Sequence, residues 1–202
     1  MHGTRIVYLT AIVLLVVCLP PLLFGEFSER SIHWALRRSV DIAFPFFFLA
    51  FIASSLVSFW PTRFSRWCLR NRRYFGITFA VGFLTHGSLI ALLATLYPEP
   101  FWADMTNEAL YHGIIAFLLT ALMLITSNNA SVKLLGNRLW SALHTVGGYY
   151  LLFSFLGALL LNAPNKPWLW PYFVATVLLI VLRMGRILVN VYSRFAGSTA
   201  KI

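Results

Sequence analysis

The stretch RRYFGITFAVGFLTHGSLIALLATLY, residues 72–97, decides the fold class of this chain. After its two arginines, the stretch from Tyr74 to Tyr97 contains no lysine, arginine, aspartate or glutamate. A helix needs about 20 mainly apolar residues to cross the hydrocarbon core of a bilayer. The stretch therefore predicts a transmembrane helix, and it carries one histidine, His86, near its middle.

The rest of the chain is also rich in apolar residues and poor in charged ones. Only 11% of its residues are charged and 59% are hydrophobic, whereas a soluble domain averages about 25% charged residues. None of its apolar segments alternates in the manner of a barrel strand. We therefore predict an all-α integral membrane protein, a bundle of six transmembrane helices forming one domain over residues 1–202. The six segments are Ile6–Phe24, Val40–Trp60, Tyr74–Tyr97, Ala109–Thr126, Leu139–Leu161 and Trp168–Val189.

The first apolar segment follows Arg5 and could be a signal peptide. It is long for the apolar region of such a peptide, and the residues that follow it, Pro20–Glu26, offer no cleavage site with small residues. We expect it to be a retained helix.

The net charge of +10 is better explained by membrane orientation than by nucleic-acid binding. Lysine and arginine collect on the cytoplasmic side of membrane proteins. With the N-terminus inside, the inner side receives 12 of the 16 basic residues and the outer side all six acidic residues. The inner basic residues are Arg5, Arg63, Arg66, Arg70, Arg72, Arg73, Lys133, Arg138, Arg183, Arg186, Arg194 and Lys201. We expect both termini to be cytoplasmic, with a basic loop over residues 62–73.

Two histidines, His86 and His144, lie inside different apolar segments. Ionisable residues at membrane depth are expensive and are functional candidates by default. Two of them on separate helices favour a metal cofactor held between helices, and histidine is a common axial ligand of haem iron. The alternative is a histidine that donates a hydrogen bond to a backbone carbonyl of a neighbouring helix.

Glycines accompany both histidines. Small residues allow either a flat macrocycle or a second helix to approach closely, and both interpretations remain open. The glycines concerned are Gly82, Gly87, Gly147 and Gly148.

The depths of the histidines in the membrane leave His112 as a competing candidate for a haem ligand. His86 is about 20 Å along its helix from Arg73, and His144 is about 9 Å from Arg138. His112, near the outer end of the fourth segment, approaches the depth of His86 about as well as His144 does. We expect His112 to be an interfacial side chain and keep it as the alternative haem ligand.

Two motifs resemble a known family. RRYFGITFAVGFLTHG, residues 72–87, and TSNNASVKLLGNRLWSALHTVGGYY, residues 126–150, are similar to the ferric-reductase-like transmembrane domain. Within that superfamily the chain looks most like the haem-binding membrane subunits of bacterial methionine-sulfoxide reductase systems. The resemblance covers roughly residues 38–183.

The resemblance implies a b-type haem protein that lacks its own flavin domain. By position, His86 and His144 match family haem histidines. Gly157 stands where the family has a further histidine, 13 positions after His144, so we expect one haem rather than two. Arginine suits carboxylates because of its paired donors. We therefore expect Arg138, or Arg72 and Arg73, near the haem propionates.

The expected function is electron transfer across a bacterial inner membrane. The donor would be an inner-side flavoprotein or a membrane quinol, and the acceptor would lie outside. No nucleotide-binding motif such as GxGxxG is present, so the chain is at most an electron-transfer subunit of an oxidoreductase. The alternative is a non-redox polytopic scaffold or assembly subunit that has lost haem.

Overall fold

The computed structural model describes residues 3–199, with side chains described as far as residue 193. Within that part of the chain the structure is helical and contains no β-strand. Two single 3₁₀ turns, Ala163–Asn165 and Pro167–Leu169, precede the last helix. The helices are α1 (Gly3–Phe24), α2 (Glu29–Phe59), α3 (Arg63–Leu96), α4 (Pro98–Asp104), α5 (Asn107–Ile125), α6 (Asn129–Asn162) and α7 (Trp170–Thr199).

Six of these helices are long and apolar enough to cross a membrane, namely all except the short α4. This confirms the predicted all-α fold with six membrane-spanning helices. Many apolar side chains on the outside of α1 and α7 are exposed, among them Tyr8, Val16 and Val181. Such surfaces are satisfied by lipid, because the bilayer is the solvent of a protein of this class.

Two helices begin well before their apolar segments. The apolar segments predicted over residues 40–60 and 74–97 are the later parts of α2 and α3, which begin at Glu29 and Arg63. The expected basic loop over residues 62–73 is therefore helical from Arg63 onward. Hydropathy marks the part of a helix that lies in hydrocarbon, whereas the helix itself continues until its backbone groups are capped.

Side-chain caps explain where the helices begin. Thr62 Oγ1 accepts a hydrogen bond from the backbone N–H of Ser65 at 3.2 Å, and Pro61 interrupts the helical chain just before it. Thr106 accepts from Ala109 at the start of α5 in the same way. A side-chain oxygen at this position satisfies one of the free N–H groups of the first turn. Thr62 and Thr106 are thus the residues that cap the first turns of α3 and α5.

Helix α6 is interrupted at Gly136, whose φ of 72° and ψ of 157° are not helical. Only glycine adopts such a conformation at little cost. The predicted fifth span, residues 139–161, is the part of α6 that follows this break. The preceding turns, residues 129–135, form a separate short helix that contains Lys133 and the exposed Leu134.

The chain divides into two compact units, which are described separately. The first comprises the chain up to Phe47 together with Arg73–Ser154. Its core is formed by apolar side chains of α1, α2 and α3, which bury one another. They are Leu14, Cys18, Leu22, Ile32, Ala35, Leu36, Leu89 and Leu93.

A row of aromatic rings continues this packing within the first unit. Phe47 of α2 lies 5.0 Å from Phe79 of α3, Phe79 stacks on Phe83, and Phe83 stacks on Phe117 of α5 at 4.6 Å between centroids. Aromatic pairs at these distances add to the gain from burial alone. The row fixes the height of α5 relative to α3.

The second unit comprises Phe48–Arg72 and the chain from Phe155 onward. Its buried side chains include Phe51 and Ile52 of α2 and Leu179 of α7. A Cβ added to Gly185 of α7 would lie 3.5 Å from the ring of Phe59, so these two helices pack closely.

Candidate functional site

His86 lies in the first unit and its ring is turned towards α2. Its Nδ1 atom is 3.1 Å from the carbonyl oxygen of Leu36 and 3.2 Å from Oγ of Ser39. The Ser39 hydroxyl itself donates to the Leu36 carbonyl at 2.7 Å. The side chain is partly buried and stacks against Phe83, with 6.3 Å between ring centroids.

These contacts assign the proton on the ring. A carbonyl oxygen only accepts, and the Ser39 hydrogen is already directed at it, so Nδ1 of His86 is the donor. In the neutral ring the lone pair then lies on Nε2. No residue within the described range 3–193 forms a hydrogen bond with Nε2. His86 therefore presents one unprotonated nitrogen, held in a fixed orientation.

The glycines beside His86 are used for helix packing. A Cβ built on Gly82 would lie 2.7 Å from Cβ of Ala43 on α2, and one on Gly87 would lie 2.8 Å from the ring of Phe117 on α5. Protein side chains fill both positions, so α2 and α5 approach α3 there. This agrees with the second of the two interpretations given for the small residues.

His144 belongs to α6 and lies beside the C-terminal end of α5, where it has different partners. Its Nε2 atom is 3.1 Å from Oγ1 of Thr126, and its ring stacks on Trp140 with 4.3 Å between centroids. The Thr126 hydroxyl is 2.7 Å from the Leu122 carbonyl oxygen, to which it donates. Oγ1 therefore accepts from Nε2–H of His144, so this nitrogen is protonated and already engaged.

The glycine next to His144 is filled as well. A Cβ on Gly147 would lie 2.8 Å from the sulfur of Met123 on α5. Methionine is flexible and fills irregular gaps readily. The space beside Gly147, where a flat cofactor was considered, is therefore filled by a side chain of the neighbouring helix.

The structure does not bring His86 and His144 together. His86 lies between Phe83 and Gly87, both of which contact Phe117 of α5. His144 contacts Thr126, nine residues further along the same helix. At 1.5 Å per residue the two levels are about 13 Å apart. Two imidazole nitrogens that bind the same metal ion lie no more than about 4 Å apart, because each metal–nitrogen bond is about 2 Å long.

His112 belongs to a third arrangement. Its Nδ1 atom is 3.1 Å from the hydroxyl of Tyr150 on α6, and that hydroxyl lies 3.3 Å from the backbone oxygen of His112. The side chain is exposed. The ring is thus paired across α5 and α6 near the first turns of α5.

The arginines expected near haem propionates are also separated from His86 or engaged elsewhere. Arg138 is exposed and lies six residues before His144, about 9 Å further from the level of His86. Arg72 donates from Nε to the backbone oxygen of Ala50 at 2.9 Å. Arg73 is exposed on α3.

The side chains offer no other metal site. Within residues 3–193, no three or more histidine, cysteine, aspartate or glutamate side chains are grouped so that they could hold a metal ion. The residues present fit haem only at one point, the free Nε2 of His86. They do not fit a haem shared between His86 and His144.

The partners of these rings could not be identified from the sequence. Ser39 and Leu36 lie 47 and 50 residues from His86, and nothing in their spacing marks them as its neighbours. The stacking of Trp140 on His144 could be predicted from the sequence, because residues four apart lie on one face of a helix.

Fold and site together define a polytopic all-α membrane protein in which His86 is partly buried and held in a fixed orientation. No protein-family model matches the chain, and neither a curated protein nor a solved structure matches it significantly.

Proposed function

We propose that the chain is the membrane subunit of an electron-transfer system and that Nε2 of His86 would bind the iron of one b-type haem. The supporting observation is the hydrogen bond from Nδ1 of His86 to the Leu36 carbonyl. Ligand histidines almost always donate their second ring N–H to a carbonyl, carboxylate or water, which fixes the tautomer and orients the ring. His86 has this arrangement, whereas His144 and His112 use a ring nitrogen for a neighbouring hydroxyl.

The residues of this chain would have three tasks. His86 would bind the iron, the Leu36 carbonyl and Ser39 would orient its ring, and Phe83 would shield one ring face from lipid and water. The haem would supply a one-electron redox couple. His144 is assigned no ligand role in this proposal, because its Nε2 donates to Thr126 at a different level of α5.

The direction of transfer is inferred from charge. Arg63, Arg66 and Arg70 are exposed and, at spacings of three and four residues, share one face of α3. We propose that this basic face lies inside the cell and receives a flavoprotein, with a membrane quinol as the other donor. All six acidic residues lie toward the opposite side in the proposed orientation, where the acceptor would approach. Bacterial inner-membrane location and cytoplasmic termini belong to the same proposal.

A second candidate is a non-redox polytopic scaffold or assembly subunit. It is favoured by the filled positions beside Gly82, Gly87 and Gly147. Three of the four glycines that suggested space for a cofactor then have an explanation in helix packing.

The test is a reduced-minus-oxidised optical spectrum of the purified full-length protein, expressed with added haem precursor. The proposal expects b-type α-bands and one iron per chain. We expect His86→Ala to lose the bands, while His112→Ala and His144→Ala keep them. Retained bands in His86→Ala would reject the ligand assignment. Absence of bands in the wild-type protein would reject the electron carrier in favour of the scaffold.

A further inference from the structure

A cavity in the first unit lies where the start of α2, the end of α3 and the short helix α4 meet. Its volume is about 220 Å³. An apolar cavity of about 150 Å³ holds a benzene molecule, so this one has room for a ring with a short side arm. The side chains that characterise its lining are Glu29, His33, Tyr97, Phe101, Asp104 and Met105.

The charge of this cavity is negative. Two carboxylates line it, and no lysine or arginine does. Oε1 of Glu29 lies 3.6 Å from Nε2 of His33, one turn further along α2, which is longer than a hydrogen bond. Asp104 has neither a hydrogen bond nor an ion pair with any residue in the described range 3–193. A cation in the cavity would therefore meet negative charge that only a protonated His33 could offset.

The position of Asp104 in its helix gives a second reason for a cation. Asp104 is the last residue of α4, and the last turn of this helix contains no basic residue. The free carbonyl groups at the C-terminal end of a helix carry partial negative charge, which disfavours a carboxylate and favours a cation. A cation beside Asp104 would interact favourably with both the carboxylate and these carbonyl groups.

The rest of the lining indicates an organic cation rather than a metal ion. Tyr97, Phe101 and Met105 contribute two aromatic rings and a flexible apolar side chain. Aromatic rings attract a cation to their faces and also bury apolar groups. The hydroxyl of Tyr97 donates to the backbone oxygen of Phe27 at 3.2 Å, so this side chain is tied to the turn between α1 and α2. A bare metal ion gains nothing from such a surface, whereas an amine with an apolar body uses all of it.

We propose that this cavity binds a small primary amine with an aromatic or apolar body. The ammonium group lies beside the carboxylates of Glu29 and Asp104, and the body lies against Tyr97, Phe101 and Met105. Ammonium donates charge-assisted hydrogen bonds to carboxylates, and the apolar body gains free energy by leaving water. The site is independent of haem and would exist equally in a redox carrier and in a scaffold.

Isothermal titration calorimetry of the full-length protein in a non-ionic detergent tests the site, with 2-phenylethylamine as the probe. The neutral analogue 2-phenylethanol has nearly the same shape and is titrated in parallel, and both compounds are titrated into detergent alone. We expect one amine per chain, bound at least about tenfold more tightly than the alcohol, because hydrogen bonds to charged groups are the stronger ones. Equal affinities, or no saturable binding of the amine, would reject the proposal.

Isosteric variants test the two carboxylates. Glu29→Gln and Asp104→Asn should each weaken amine binding by about threefold or more, since each removes one ion pair with the ligand. Asp104 has no polar partner among the described residues, so Asp104→Asn should leave the fold intact even if Glu29→Gln does not. Unchanged binding in folded Asp104→Asn would overturn the site.

The matched control is Glu99→Gln/Glu108→Gln, compared with Glu29→Gln/Asp104→Asn. All four side chains are exposed, but Glu99 and Glu108 do not line the cavity. At 0.15 M salt, charges that do not contact the ligand are screened over about 8 Å, so the control should stay within about twofold of wild type. An equal loss in both double variants would overturn the proposal in favour of general charge attraction.

Two further titrations test the choice of an organic cation. Phe101→Leu keeps an apolar side chain but removes the ring, and we expect it to weaken the amine by about twofold or more. Millimolar calcium chloride should leave amine binding unchanged. Displacement of the amine by calcium, or unchanged binding in Phe101→Leu, would overturn the assignment of an amine with an apolar body.

Discussion

The ring of His86 is tethered to Leu36 across 50 residues of chain, with 3.1 Å between Nδ1 and the carbonyl oxygen. The bond joins α3 to α2 in the first unit. It leaves the opposite nitrogen of the ring free among the described residues. The same hydrogen bond therefore holds α3 against α2 whether or not a ligand is bound. It would also orient the ring for a ligand that binds Nε2.

Close packing at Gly82 gives the first prediction. A side chain at this position would press on Ala43 of α2, because its Cβ would lie only 2.7 Å from the Cβ of that alanine. We expect Gly82→Val to lower the free energy of unfolding by about 1–3 kcal/mol, the usual cost of overpacking. Unfolding in mixed micelles with increasing SDS measures it.

Gly113 supplies the control for that measurement. An added Cβ there meets no atom within 4 Å, and alanine is the better helix former by about 1 kcal/mol. Gly113→Ala should therefore leave stability unchanged or raise it. Equal losses in both variants would mean that Gly82 is not a packing contact.

The second prediction concerns the bond between His144 and Thr126. Removing either side chain should destabilise the protein modestly, since hydrogen bonds between membrane helices average about 0.6 kcal/mol. A double-mutant cycle with His144→Ala and Thr126→Val isolates the pair. A coupling energy indistinguishable from zero would contradict the contact.

Third, we predict that the basic face of α3 receives an anionic flavoprotein. Neutralising Arg63, Arg66 and Arg70 with glutamine should slow haem reduction by that donor in inside-out vesicles. It should also reduce the salt dependence of the rate, because screening acts on exposed charges over about 10 Å at 0.1 M salt. Rates are measured by stopped-flow absorbance at several ionic strengths.

A charge-matched variant at the opposite side, Arg30→Gln/Arg37→Gln/Lys166→Gln, serves as the reference. Its rates should equal those of the wild type. If both triple variants behave alike, the face of α3 has no specific role in docking.

The fourth prediction is the orientation of the chain. Asn107 and Asn129 are exposed at the two ends of α5, so single cysteines there report on opposite sides of the membrane. In a background without Cys18 and Cys68, a membrane-impermeant maleimide should label Asn107→Cys in intact cells. Asn129→Cys should react only after permeabilisation. The reverse pattern would invert the topology inferred from the basic residues.

Hydropathy predicted the six spans because a bilayer demands long apolar helices whatever their tertiary contacts. It could not predict that α2 and α3 begin 11 residues earlier, at Glu29 and Arg63, since polar helix outside the hydrocarbon has no hydropathy signal. The start of α3 is marked instead by its capping side chain, Thr62.

Less of the candidate site than of the fold could be predicted from the sequence. His86 and His144 were recognisable as unusual residues in apolar helices, but their heights depend on how α3, α5 and α6 are aligned. That alignment is set by contacts such as Phe83 with Phe117 and Met123 with Gly147. These pairs are far apart in the chain, and neither partner is distinctive by itself.

The division of charge between the two units has a consequence for acidity. Residues 48–72 and 155–202 contain neither histidine nor a carboxylate side chain, and arginine stays protonated at all physiological pH values. The positive charge of the second unit is therefore constant over the physiological range of pH. Every histidine, aspartate and glutamate described in the structure lies in the first unit. A response of this protein to proton concentration would therefore begin in the first unit.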